Sequence, residues 1–168
     1  SARCVGDRTV PDDTAIYFGS GAGDLGVSID VLERLYKFEE SPKPLSFINS
    51  LSNASCFYVA QYLNLQGASN FISSRCFSFE RVLSLAFKEY RLGKVKSALV
   101  TTVDSCVLPL SEQRRRLAVE SDVALAEAAH SLYVGEEVSG GETIGEVLTV
   151  QHCIDRSDLL DHLRQDNA

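Results

Sequence analysis

Apolar residues occur in short continuous runs at several points of the chain, and these runs predict β-strands. Residues 15–18 are apolar and lead into a glycine turn, which is typical of a strand that ends at a loop. Residues 70–74 form a shorter strand, and residues 97–103 are continuously apolar and β-branched, as in a strand buried on both faces. Two further strands are predicted over 124–134 and 143–151, in an antiparallel arrangement.

Other segments place apolar residues at steps of three and four, which is the spacing of amphipathic helices. This pattern predicts helices over 25–38, 51–63 and 79–92, and a short final helix over 155–164. Prolines separate the first two helices, Gly67 follows the second and Gly93 follows the third. Residues 109–116, which contain a proline and three arginines, are predicted as a loop.

The predicted element order is β-α-α-β-α-β-loop-β-β-α, without a linker or an internal repeat, and it indicates a single α/β domain over residues 1–168. A chain of 168 residues that is 45% hydrophobic can bury a sizeable core. No apolar run approaches the roughly 20 residues of a membrane helix, and no signal peptide is visible. We therefore expect a cytoplasmic protein with no membrane span.

The charge and the cysteines exclude several kinds of site. The net charge of −7 repels phosphate backbones, so we expect no nucleic-acid partner. The run Arg114, Arg115, Arg116 fits either an acidic partner or a solvated face. The five cysteines are odd in number and include no CxxC pair, which indicates neither a disulfide framework nor a zinc site. We expect no metal and no cofactor.

Cys76 is the residue in this chain best placed for chemistry. It lies where the predicted strand over 70–74 runs into the helix over 79–92. The unpaired N–H groups and the dipole at a helix N-terminus stabilise negative charge, and a nucleophilic cysteine needs a stabilised thiolate. The alternative is structural, because cysteines at helix starts are often small buried hydrophobes.

The segment around Cys76 resembles the active-site region of β-ketoacyl synthases, whose cysteine also opens a helix. The similarity begins at Ser73-Ser74-Arg75-Cys76 and continues without gaps through the apolar run over 97–103. Three further stretches are similar to family segments, in the family's order: IYFGSG at 16–21, FINSLSNA at 47–54 and ALAEAA at 124–129. The resemblance implies half of a thiolase-like fold, a mixed sheet with helices on its faces, incomplete at both ends relative to the family.

The departures from the family pattern bear on activity. These synthases use a cysteine and two histidines, and both histidines belong to a C-terminal half that this sequence does not include. Its own His130, His152 and His162 fall in other segments, where structural or surface roles are expected. The glycine-rich loop that completes the family's oxyanion hole is also missing. We therefore expect no catalytic residue, although Cys76 occupies the nucleophile position.

The neighbours of Cys76 also differ from the small residues usual in the family. Arg75, Phe77 and Phe79 flank it, and the resemblance implies that they lie near the acyl tunnel and the subunit interface. Bulky neighbours indicate a filled pocket, whereas the positive charge of Arg75 would favour a thiolate. The family's first strand has no counterpart, since residues 1–10 are too short and polar. Either the sheet closes up, or another chain covers the gap, or the sequence is a fragment.

Thiolase-fold enzymes are dimers, and in this family the strand before the nucleophile pairs across the dimer axis. Carried over, that edge strand comprises Asn70, Phe71, Ile72, Ser73 and Ser74. The leading hypothesis is a truncated, non-catalytic partner of the chain-length-factor type. It would pair with a full-length synthase in fatty acid, type II polyketide or aryl polyene synthesis, with an acyl carrier protein as a further partner. The alternatives are a fragment of an active synthase that uses Cys76, and a scaffold that only stabilises a synthase.

Overall fold

The structure is a computed structural model that describes residues 2–5 and 10–135. The strand predicted over 143–151 and the helix predicted over 155–164 lie outside the described residues. None of the described helices has the length and hydropathy needed to cross a bilayer.

The described elements form an α/β arrangement, as the sequence predicts. In chain order they are α1 Ala2–Val5, β1 Ala15–Ser20, α2 Leu25–Tyr36, α3 Pro44–Asn49, α4 Ala54–Leu63, β2 Ser69–Ser73, α5 Ser78–Arg91, β3 Ser97–Asp104, α6 Leu110–Leu117 and β4 Ala128–Gly135.

The four strands form one mixed sheet in the order β2-β1-β3-β4. β1 is parallel to both of its neighbours, with Ile16 opposite Ser69 on one side and Leu99 on the other. β4 runs antiparallel to β3 and places His130 opposite Thr102. β1 pairs directly with β3, with no strand between them in the described sheet.

Helices cover both faces of the sheet, and each face has its own apolar cluster. On one face α5 packs against β1 and β3 around seven buried residues: Ala15, Tyr17, Val82, Ala86, Val95, Ala98 and Val100. On the other face α4 packs against β1 around Ile16, Phe18, Cys56 and Leu65. Alternate residues of β1 therefore point to opposite sides, as the pleat of a strand requires.

A glycine in β1 determines how closely α5 can approach the sheet. A Cβ atom on Gly19 would lie 2.5 Å from Cγ2 of Val82 and 3.0 Å from Cγ2 of Thr102. Such distances are too short for real carbon atoms, so any larger residue here would push α5 away. The glycine in the sequence IYFGSG thus has a packing role in addition to the turn that follows it.

Two of the described helices are not predicted by the sequence pattern. α3 begins at Pro44, at the end of the proline-rich break; proline is tolerated at this first helical position, where its missing N–H needs no partner. The predicted loop over 109–116 is largely α6. Its apolar periodicity is weak, but ion pairs from Glu112 to Arg115 and Arg116 are spaced for a helix.

The boundaries of other elements differ by a few residues. The helix predicted from 51 begins at Ala54, and β2 ends at Ser73, so Ser74 lies just beyond the predicted edge strand. β4 begins at Ala128, so only the end of the segment over 124–129 is strand. β4 pairs with β3, and the second strand predicted to accompany it lies outside the described part of the chain.

Candidate functional site

The candidate site lies where β1 and β3 end at the same edge of the sheet. The carboxylate of Asp104, the last residue of β3, accepts a hydrogen bond of 2.6 Å from the backbone N–H of Gly21 and one of 3.3 Å from the hydroxyl of Ser20. Both bonds reach residues at the end of β1. Asp104 therefore fixes the glycine turn after β1 against the end of β3, beside an open cleft.

This cleft has a volume of about 840 Å³, within the size range of small-molecule pockets. Its walls come from the loops after β1 and β3, the beginning of α5, and α6. Apolar side chains dominate one part: Leu25, Phe77, Val107, Leu108, Leu117 and Leu125. Three arginines supply positive charge: Arg75, Arg115 and Arg116. The cleft can accommodate an apolar chain beside an anionic group.

Cys76 lies next to the cleft without lining it. α5 begins at Ser78, so the thiol is two residues before the helix, close to the predicted place. The residue is exposed, and its backbone carbonyl accepts a 2.8 Å hydrogen bond from the hydroxyl of Ser74. The lining residues are its neighbours Arg75 and Phe77. The two bulky residues thus face the cleft at the position where the family resemblance puts a nucleophile.

Phe77 has an unusual backbone as well as an exposed ring. Its φ of 58° and ψ of 37° lie in the left-handed region, and its side chain does not cap the helix. It is 64% exposed, although phenylalanine is an apolar residue. A bulky residue in this conformation costs about 1–2 kcal/mol, and such strain clusters at functional positions. Phe77 therefore combines a left-handed backbone with an exposed apolar side chain in the wall of the cleft.

Phe79, the other predicted tunnel residue, faces away from the cleft. Its side chain is partly buried and packs against the cluster that contains Tyr17 and Val82. The two phenylalanines therefore occupy different environments, one in the cleft wall and one in the core. A role for Phe79 in a tunnel stays a prediction.

The arginine cluster of α6 is engaged within the chain. Arg115 and Arg116 both donate to the carboxylate of Glu112, and hydrogen bonding from Arg115 is the main reason that the pKa of Glu112 is lowered to about 2. Arg114 donates to the backbone carbonyls of Glu120 and Val123, at 2.6 Å in each case. These contacts stabilise α6 and the following turn, and they partly neutralise the positive charge at the cleft.

The predicted edge strand occupies an edge of the described sheet, because β2 pairs only with β1. Phe71 stacks on Phe18 with ring centroids 5.8 Å apart, which fixes the strand against β1. On the α4 side, the thiol of Cys56 donates to the carbonyl of Asn70 at 3.6 Å, and burial raises the pKa of this thiol. Pairing of this edge with another chain stays a prediction.

The described residues contain one histidine, His130, which lies on β4 and is exposed. His152 and His162 lie outside the described residues. Across residues 2–5 and 10–135, no group of three or more histidine, cysteine or acidic side chains could hold a metal ion.

The sequence also carries a signal that apolar periodicity does not detect. Residues 44–74 contain no aspartate, glutamate, lysine, arginine or histidine. This span includes α3, α4 and β2, and seven of its large apolar side chains are exposed. A search for charge-free stretches, in addition to apolar periodicity, would have found this surface.

The mixed sheet, the helices on both of its faces and the cleft beside the ends of its central strands define an α/β domain. The family described as "Beta-ketoacyl synthase, N-terminal domain" matches residues 1–116. This chain belongs to that family. The segment over 124–129 lies outside the matched range.

Solved structures show the same fold at low sequence identity. The ketosynthase ApeO in complex with its chain length factor ApeC from Xenorhabdus doucetiae matches with a TM-score of 0.61 and 19% identity, over 77% of this chain and 52% of that chain. The ishigamide ketosynthase/chain length factor matches with a TM-score of 0.61 and 16% identity, over 74% of this chain and 36% of that chain.

A third structure, AntDE:AntF, is a type II PKS acyl-carrier protein in complex with its ketosynthase bound to the hexaketide. It matches with a TM-score of 0.53 and 15% identity, over 66% of this chain and 29% of that chain. This chain thus spans about half of the first structure's length and less of the other two. No curated protein matches the sequence.

Proposed function

We propose that this chain is a non-catalytic, ketosynthase-like subunit of the chain-length-factor type. It pairs with an active β-ketoacyl-ACP synthase in fatty acid, polyketide or aryl polyene biosynthesis and shapes the tunnel that holds the growing acyl chain. One observation carries this proposal: Arg75 and Phe77 line the cleft, whereas the exposed Cys76 does not. The similar solved structures that contain a chain length factor support the same assignment.

The chemistry of condensation supports a non-catalytic role. A thiolate can accept an acyl group by itself, but carbon–carbon bond formation also needs groups that stabilise developing charge and transfer protons. His130, the histidine of the described residues, is on β4, and two strands, β1 and β3, separate β4 from β2 in the sheet. Such a chain contributes shape to a synthase while the partner supplies the reacting groups.

Phe77 is the side chain through which this subunit would shape the acyl tunnel. Its ring is 64% exposed at the wall of the cleft, on a backbone held by the start of α5. A phenylalanine in place of a small residue removes the space that several methylene groups would occupy. We propose that this ring limits how far an acyl chain extends toward this subunit.

The two faces of α5 differ in polarity, which bears on what can pack against this helix in an assembled synthase. One face packs on the sheet through Val82 and Ala86. The opposite face is exposed and charged, with Glu80, Lys88 and Arg91 among its residues. A helix packed between two layers is apolar all round, so a second layer on this face would have to desolvate several charges.

Product length of the assembled complex tests the proposal. The chain is co-expressed with each ketosynthase encoded beside it, and acyl products of the purified complex are measured by mass spectrometry. Phe77→Ala is expected to lengthen the products by at least one two-carbon unit. Phe38→Ala is the matched control, because Phe38 is 55% exposed and lies away from the cleft. Unchanged product length in Phe77→Ala would remove the tunnel role.

The exposed thiol of Cys76 favours one alternative, an acyl-accepting enzyme. In that case cerulenin would label Cys76 in the full assembly, and Cys76→Ala would abolish condensation while the complex still forms. The proposed function predicts that condensation continues in Cys76→Ala. The two outcomes are exclusive, so one variant separates the alternatives.

A further inference from the structure

Asp24 lies at the start of α2, in the position where an aspartate normally caps a helix. The carboxylate of a capping aspartate accepts a hydrogen bond from a backbone N–H of the first turn. Here the side chain makes no such bond, and the backbone of Asp24, with φ −90° and ψ 33°, lacks the extended conformation that is typical of a capping residue. The carboxyl group is therefore turned away from the N–H groups that it could cap.

One oxygen of this carboxyl group is buried without a partner. Asp24 as a residue is partly exposed, but its Oδ2 is shielded from solvent and accepts no hydrogen bond within the described part of the chain. A buried carboxylate without a partner is costly, whereas a protonated carboxyl group is tolerated far better. Burial accordingly raises the pKa of Asp24 above its ordinary value of 3.8. The position observed here therefore suits the protonated form.

The groups that face Asp24 from neighbouring elements carry no positive charge. On α4, the thiol of Cys56 is buried, and its pKa is raised by burial and, to a smaller extent, by the charge of Asp24. β2 approaches the same turn through Ser73, which is uncharged. Along α2 itself the first charged residue is Asp30, which is exposed and paired with Arg34. The carboxylate thus has no cation to pair with in its buried position.

The turn before α2 can change conformation, and it forms part of the cleft wall. Gly23 has a φ of +59°, and glycine reaches this and other conformations without steric cost. Gly21 is fixed, because its N–H donates to the carboxylate of Asp104 on β3. Ala22, in this turn, and Leu25, the first residue of α2, both line the cleft. A rotation between Gly21 and α2 would therefore reshape the cleft.

We propose that Asp24 is a pH-dependent switch of the cleft wall. With the carboxyl group protonated, the side chain keeps the buried position observed here. When the proton is released to solvent, the carboxylate turns outward and accepts a hydrogen bond from the N–H of Gly26 or Val27, which moves Ala22 and Leu25. The helix dipole favours negative charge at that place. This regulation goes beyond the proposed function and does not depend on it.

NMR of the chain labelled at carboxyl and methyl carbons tests the switch. The carboxyl carbon of Asp24 should titrate with a midpoint above 3.8, and the methyl signals of Ala22 and Leu25 should shift with the same midpoint. Over this range the amides of Gly26 and Val27 should become about fivefold better protected against hydrogen exchange, after correction for intrinsic rates, because a helix cap has about this effect.

Two substitutions should hold the cleft wall in one state each. Asp24→Leu can neither ionise nor cap, so the methyl signals should keep their low-pH positions at every pH. Asp24→Ser can cap a helix without ionising, so they should keep their high-pH positions. Asp30→Asn is the matched control, because it removes an exposed acid of the same helix and should leave the transition intact. Circular dichroism shows whether each variant is folded, and the wild-type titration is decisive without them.

Two results would overturn this inference. A midpoint of 3.8 for Asp24 would show that its carboxyl group is not held in a buried position. Methyl signals of Ala22 and Leu25 that stay constant while Asp24 titrates would show that ionisation does not move the cleft wall. Either result could occur while Phe77→Ala still lengthens the products, so the proposed function is tested separately.

Discussion

The guanidinium of Arg75 donates a 2.8 Å hydrogen bond to the backbone carbonyl of Arg116, across 41 positions of the sequence. The carbonyl belongs to the last turn of α6, where carbonyl groups have no partner within the helix. Arg75 precedes α5, so this single side chain joins the start of one helix to the end of the other. It thereby holds α6 over the cleft.

Arg75→Ala is expected to loosen α6 without unfolding the chain. An exposed hydrogen bond of this kind contributes about 0.5–1.5 kcal/mol, so backbone amides over 110–118 should exchange several times faster in hydrogen–deuterium exchange. Arg81→Ala, an exposed arginine within α5, is the control. Equal exchange over 110–118 in wild type and Arg75→Ala would contradict the proposed link.

Glu112 should make the local stability of α6 dependent on acid pH. Its pKa is lowered from 4.5 to about 2, chiefly by hydrogen bonding from Arg115. Because the pKa in the folded state is lowered, the stabilisation is complete above pH 4.5 and is lost as the pH falls toward about 2. An NMR titration of the carboxyl carbon should show this low midpoint. In Glu112→Gln, the stability of α6 should no longer change between pH 4.5 and about 2. A midpoint of 4.5 for Glu112 in wild type would contradict its pairing with Arg115.

Phe77→Gly should stabilise the chain. Relief of the left-handed strain gains about 1–2 kcal/mol, and the greater freedom of glycine in the unfolded state costs about half of that, so a net gain of about 0.5–1 kcal/mol is expected. Phe77→Ala keeps a Cβ atom and should show no such gain. Urea unfolding followed by circular dichroism measures both variants, and a gain in Phe77→Ala alone would show that strain is not the cause.

Because of Tyr17, the stability of the folded chain should depend on pH in the alkaline range. Its side chain is fully buried, and its hydroxyl donates to the carboxylate of Glu89 on α5. Burial, followed by this hydrogen bond, raises the pKa of Tyr17 above its ordinary value of 10.0. The resulting stabilisation is complete below pH 10 and is lost as the pH rises further.

Tyr17→Phe removes that hydroxyl and provides the test. The variant should lose about 1–2 kcal/mol at neutral pH, because Glu89 loses a charge-assisted hydrogen bond. Above pH 10 the difference between wild type and variant should shrink in thermal or urea unfolding. A difference that stays constant up to pH 11 would show that ionisation of Tyr17 does not limit stability.

Strong apolar periodicity predicted most of the sheet and its two main helices correctly. β1, β3 and α5 all contribute buried residues to one apolar cluster, so the sequence pattern and the packing agree. α6 was missed because its stability comes from Glu112 and three arginines, which a search for apolar spacing does not detect. α3 was missed because Pro44 was interpreted as a break, although proline also begins helices.

The candidate site was predicted only in part. The family resemblance identified the segment from Arg75 to Phe79, and the structure places Arg75 and Phe77 in the cleft wall. The sequence could not distinguish Phe77 from Phe79, because the difference depends on the left-handed backbone at Phe77. Asp104 was also missed, since its contact with Gly21 joins residues 83 positions apart and has no local pattern.

The direct pairing of β1 with β3 has a consequence for synthesis on the ribosome. β1 is made before both of its partners: β2 begins at residue 69 and β3 at residue 97, so the β3 side of this central strand stays open longer than the β2 side. Long-range parallel pairing is slow, and exposed strand edges aggregate. Nascent chains that have not yet released Asp104 from the exit tunnel are therefore expected to be chaperone substrates.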